Sequence, residues 1–184
     1  MSKPNILFLC ADQMRGDALH CAGNTCIHTP HLDRLAARGA RFPNAFSVDP
    51  VCVPARASMI TGNYPHRCTG VKANGGTVKP GQVVMPEYFR SHGYRTYAAG
   101  KLHFLPYAGP GTPRTTHGYE QVSLAESGRI ISRYDPSGRT PGLEDYHDYL
   151  NSVGWGGYSR AHGIGNNDIH PAASPLPQEH CVDA

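Results

Sequence analysis

The chain has 184 residues, 39% of them hydrophobic and 17% charged, which suits one globular domain with its own core and excludes a disordered, fibrous or membrane-embedded polymer. Seventeen Lys and Arg against 14 Asp and Glu leave a formal charge of +3, and the basic residues are spread along the chain rather than clustered, so no nucleic-acid partner is expected. No stretch approaches the ~20 apolar residues of a membrane span, and the first ten residues hold too short an apolar run for a signal-peptide core; a cytoplasmic protein with no membrane partner is expected.

Asn5 to Cys10 is a continuous apolar run, as in a parallel strand buried on both faces, and it ends in the polar pair Asp12 and Gln13. In an open α/β sheet that edge is where ligands bind. Thr29 as N-cap, Pro30 at the first helical position, Leu32, Leu35 and Ala36 at helical spacing and Gly39 after the last turn predict a helix over Pro30 to Arg38. Arg41 to Val48 reads as extended, Pro54 to Thr61 as a helix ended by Gly62, Val83 to His92 as a helix, and Tyr94 to Ala98 as a second short strand. Such alternation of strand and helix belongs to a parallel sheet covered by helices.

The 21 Gly and 16 Pro concentrate after residue 105, so residues 104–184 read as a loop-rich extension of a core at 1–103. Glu144 to Val153 is a weaker helix signal within it. The last residues, Pro177 to Ala184, resemble the opening turn of a helix without a body, and further sequence is expected beyond them.

Six cysteines are present; in a reducing compartment they default to free thiols, metal ligands or catalysts. Cys21, Cys26, His28 and His31 bring together zinc-type ligands, but at a spacing unlike that of zinc fingers and with His31 inside the predicted helix. His66, His117, His147, His162, His170 and His180 lie in polar, loop-like surroundings and read as solvated or hydrogen-bonded. Cys52 differs. It stands at the mouth of a predicted helix, facing unpaired backbone N–H groups and the positive end of the helix dipole, and Arg56 one turn on adds a cation. Such a pocket suits an anion.

The run Cys52-Val53-Pro54-Ala55-Arg56, continued by Ala57-Ser58-Met59-Ile60-Thr61-Gly62, resembles the first motif of the formylglycine-dependent sulfatases, with Val53 where relatives usually carry a smaller residue. Gly93-Tyr94-Arg95-Thr96, followed by Gly100-Lys101-Leu102-His103, resembles their second motif. Asp12-Gln13 resembles the family's metal-binding Asp-Asp, with the Gln of the branch holding choline-sulfatase-like enzymes and phosphonate monoester hydrolases. Thr29-Pro30-His31-Leu32-Asp33 resembles a further family segment, with His31 where Asn is usual.

The resemblance implies an α/β, alkaline-phosphatase-like fold: a mostly parallel sheet flanked by helices, incomplete at the C-terminus of this chain. It implies a sulfuric ester hydrolase whose Cys52 is oxidised to formylglycine by a maturation enzyme, the hydrated aldehyde then attacking the sulfur of a small-molecule sulfate ester. Asp12, Gln13 and residue 52 would hold a divalent metal, Ca²⁺ before Mn²⁺ or Mg²⁺. Arg56 would orient the nucleophile, Lys101 bind a sulfate oxygen, and His103 accept the hydrate's proton. Asn74, in Ala73-Asn74-Gly75-Gly76, reads both as a turn residue and as a contact to the transferred group. The alternatives are a phosphonate monoester or phosphodiester hydrolase using the same nucleophile, or an inactive truncated fragment, since relatives are longer and carry further metal-binding and catalytic residues later in the sequence.

Overall fold

The computed structural model describes residues 3–68, 73–74, 76–104, 113–126 and 142–154. The Pro/Gly-rich stretch 106–112, His162, His170, His180, Cys181 and the terminal turn at 177–184 lie outside them. The chain divides into two units, Met1–Phe46 and Ser47–Ala184.

In the first unit, helix α1 spans Pro30–Arg38, as the proline at its first turn and the apolar spacing predict. Thr29 is its N-cap residue, but its hydroxyl makes no capping bond. Instead it accepts the His20 N–H at 2.9 Å and donates to Asp33 Oδ1 at 3.0 Å, and Asp33 Oδ1 also accepts the Cys21 N–H at 2.9 Å. These bonds fasten the single 3-10 turn His20–Ala22 to the start of α1. Gly39 ends the helix in extended rather than left-handed backbone, with φ −129°.

The strand expected at Asn5 to Cys10 does not form, nor does the extended segment at Arg41 to Val48 pair into a sheet. A strand exists only through its ladder, and the described residues hold one sheet of two strands, β1 and β2, with neither segment in it. Ile6, Leu7, Phe8 and Leu9 are all exposed.

The second unit is built on helix α2, Cys52–Thr61, which starts two residues before the sequence expectation. Val53, Ala57 and Ile60 fall on one face at helical spacing and are buried with Val84 and Phe104, while Val78, Leu102 and Tyr119 pack around them. Pro54 sits in the first turn, where its missing N–H costs no helix bond, and Gly62 closes the helix in left-handed backbone at φ 67°. A short helix α3 follows at Pro65–Cys68. Helix α4 covers Met85–Ser91, shorter at both ends than the predicted Val83 to His92.

Strand β1 runs over Tyr97–Gly100, later than the predicted Tyr94 to Ala98, and pairs in parallel with β2, Gln121–Leu124, which the sequence reading missed. Gly118 lets the chain pass close to α4. A Cβ there would come within 2.8 Å of Val84 and Glu87 side-chain atoms. The weak helical signal near residue 144 is real: α5 spans Asp145–Ser152. The described residues thus combine helices with one small parallel two-stranded sheet, and the larger flanked sheet expected from the sequence is seen only as this pair.

Candidate active site

Cys52 is the first residue of α2, preceded by Val51 in extended backbone. It is a partly buried thiol outside any disulfide. A helix's first turn leaves backbone N–H groups without intrahelical partners. One of them is answered by a predicted site residue: Val53 N–H donates to Asn74 Oδ1 at 3.2 Å. Asn74 therefore stands at the helix mouth beside Cys52.

Arg56 lies one turn along α2 from Cys52, on a face adjacent to the buried one. Its guanidinium donates to the backbone carbonyl of Lys101. This bond ties α2 to the segment that leaves the carboxyl end of β1, Lys101-Leu102-His103. Leu102 packs against the core cluster, while Lys101 and His103 on either side stay partly exposed. His103 holds left-handed backbone at φ 60°, a conformation that a non-glycine residue keeps only under constraint.

The constraint comes from Glu126, two residues past β2 and 1% exposed. Its Oε1 accepts the N–H of Leu102 at 2.7 Å and of His103 at 2.8 Å. Glu126 N–H in turn donates to Oε1 of the buried Glu144 at 2.6 Å. Burial pushes the Glu126 carboxyl above its usual range; the His103 and Leu102 amides and Arg56 pull against that, while the charge of Glu144 reinforces it. Next to this pair, Asp145 accepts the Leu124 N–H at 2.6 Å and a two-point ion pair from Arg114. Glu126 and Glu144 escaped the sequence reading because β2 is only four residues long and neither carboxylate belongs to a recognised motif.

Asp12 and Gln13 belong to the first unit. Both are exposed, and Gln13 also has left-handed backbone, with φ 53°. A carboxylate followed by a side-chain carbonyl offers the hard oxygens that a divalent cation takes, so the donor set fits such an ion. No group of three or more His, Cys, Asp or Glu with metal-holding geometry occurs among the described residues, and Cys21, Cys26, His28 and His31 therefore form no such group.

A profile of the sulfatase family matches residues 4–153. The chain belongs to the sulfatase family. It is 31% identical over 167 residues to the arylsulfatase of Clostridium perfringens, covering 91% of this chain and 33% of that protein. The choline-sulfatase of Rhizobium meliloti is 33% identical over 153 residues, 82% of this chain and 28% of its own length. The ulvan-active sulfatase of Formosa agariphila is 46% identical over 102 residues, 55% of this chain and 20% of the relative. The chain thus spans between a fifth and a third of the length of these sulfatases.

Among solved structures, BT4656 in complex with its substrate D-glucosamine-2-N,6-O-disulfate matches with a TM-score of 0.60 at 32% identity, over 70% of this chain and 24% of that one. The phosphonate monoester hydrolase of Agrobacterium radiobacter shares the fold, with a TM-score of 0.56 at 24% identity over 78% of this chain and 27% of its own.

Proposed function

We propose that this chain carries the nucleophile and sulfate-binding segment of a sulfuric ester hydrolase, built on the alkaline-phosphatase-like parallel sheet, in which a maturation enzyme converts Cys52 to formylglycine. The observation that supports this most is the bond from Arg56 to the Lys101 carbonyl. It joins two motifs 45 residues apart into one cluster around a partly exposed cysteine at a helix mouth.

Each residue has a task that follows from its place. The first turn of α2 and the Arg56 guanidinium favour an anion beside residue 52. Lys101 supplies an ammonium for a sulfate oxygen, and His103 a group that takes and returns a proton at the nucleophile's oxygen. Asn74 supports the helix mouth by holding the Val53 amide and reaches the transferred group with its amide nitrogen. Asp12 and Gln13 would supply oxygens to a divalent cation, Ca²⁺ before Mn²⁺ or Mg²⁺. Such an ion supplies Lewis-acid stabilisation of sulfate oxygens when bound. A formylglycine hydrate supplies an oxygen nucleophile and a second hydroxyl through which sulfate is later expelled.

Gln13 after Asp12 favours a second reading, a phosphonate monoester hydrolase with the same nucleophile. Both readings are tested on the complete gene product, coexpressed with a maturation enzyme and assayed with an aryl sulfate and an aryl phosphonate monoester beside Cys52→Ala. The Cys52 peptide is expected to lose H₂S and gain one oxygen atom by mass spectrometry, and the sulfate ester to be the faster substrate. An unmodified peptide, or turnover equal to that of Cys52→Ala, overturns the reading; a preference for the phosphonate ester selects the second.

A further inference from the structure

Lys101 and His103 act only if the three-residue segment that carries them, directly after β1, keeps its backbone path. No regular structure holds it: β1 stops at Gly100, and residues 101–103 are neither helix nor strand. Two side chains from elsewhere in the same unit hold it instead. Arg56 takes the Lys101 carbonyl, and Glu126 takes the next two amides, Leu102 and His103, on a single oxygen.

We propose that Glu126 is a positioning residue of this site, whose Oε1 locks the Lys101–His103 segment, with His103 in left-handed backbone, so that both side chains are presented to the group bound at residue 52. This rests on the sulfuric ester hydrolase reading above. Two successive amides converging on one acceptor leave the intervening peptide plane little freedom to rotate, because rotation breaks at least one of the bonds. The carboxylate is itself held. Its residue's N–H is anchored on Glu144 at the start of α5, and the neighbouring Ala125 N–H donates to Gly100 O at 3.1 Å, extending the strand pairing to the edge of the segment. Packing of Leu102 into the core sets the third side of the clamp.

The role needs an acceptor oxygen and not a negative charge, since a protonated carboxyl or an amide keeps a carbonyl oxygen for the two N–H groups. Glutamine is therefore a faithful substitute and alanine is not. In the complete gene product with residue 52 matured, Glu126→Gln is expected to match wild type in the hydrogen exchange of the Leu102 and His103 amides and to keep kcat within about threefold. Glu126→Ala is expected to speed exchange at those two amides at least about tenfold. Its kcat on an aryl sulfate should fall about 100-fold while KM moves less than about threefold, because misplacement weakens transition-state contacts more than ground-state binding.

Wild-type exchange in Glu126→Ala overturns the proposal, as does faster exchange with undiminished kcat, or a Glu126→Gln variant as impaired as the alanine one. A wild-type protein that hydrolyses no sulfate ester sinks the functional reading by itself, while the exchange comparison still judges whether Glu126 holds the segment.

Discussion

Three non-glycine residues among those described adopt left-handed backbone: Gln13, His103 and His117. Each such residue costs roughly 1–3 kcal/mol and persists only where its surroundings over-determine it. Two of the three, Gln13 and His103, are residues proposed for the site. The third, His117, lies half-buried against the Phe104 ring with 5.0 Å between ring centroids, and burial lowers its pKa, so that it stays neutral near physiological pH. Acidic residues anchor this region. Burial tends to raise the Asp145 carboxyl, but the Arg114 bonds and the Leu124 amide outweigh it and hold the carboxyl below its usual range. A depressed folded pKa means stability that is present above the ordinary carboxylate value and lost as pH falls through the lowered one. Asp145→Asn should therefore destabilise by about 1 kcal/mol at pH 7, a partly exposed pair being screened by solvent. Denaturant titrations at descending pH check this: the gap should close below the carboxylate range, and a gap that persists there would assign the effect to packing.

At the scale of elements, α2 does two jobs with two faces. Cys52 and Arg56 are the residues proposed for the site, and Val53, Ala57 and Ile60 fill the core. The valine that departs from the usual motif is 0% exposed, so it has a packing reason to be there. Val53→Ala should lower stability by about 2 kcal/mol through lost burial and the cavity left behind, read as a shift in the urea midpoint. Maturation of Cys52 should survive, since the cysteine, proline and arginine are untouched. A midpoint equal to wild type would mean that the site refills without cost.

At the scale of the whole molecule, the apolar run Ile6 to Leu9 is between 59% and 82% exposed along its length. Four consecutive exposed apolar residues favour association. Within this chain, the oxygen ligands proposed for a metal are Asp12 and Gln13, whereas an oxygen-ligated Ca²⁺ takes ~6 or more. Water in the remaining positions would leave the ion weakly held and poorly fixed against the nucleophile. The purified 184-residue chain, matured at Cys52, is accordingly expected to show no aryl sulfate turnover above its Cys52→Ala control with Ca²⁺ or Mn²⁺ added. Turnover above that control would show that these residues suffice.

Local chemistry was legible from the residues alone. Helix α1 has the predicted bounds because a first-turn proline and apolar spacing act within a few residues, and the helix behind Cys52 was visible with Gly62 as its closing residue. The two motifs placed Cys52, Arg56, Lys101 and His103 on the page before any fold was known. Strand pairing was not legible. Asn5 to Cys10 reads as a strand and forms none, whereas β2 alternates polar and apolar residues over only four positions, too short a run to stand out, and pairs with β1. A ladder depends on a partner distant in sequence, which periodicity does not encode. For the same reason only the tertiary structure decided that Arg56 bonds to the Lys101 carbonyl and that Glu126 holds the Leu102 and His103 amides. Hydrogen bonds across 23 to 45 residues arise from where the folded chain brings donors and acceptors, and no local spacing announces them.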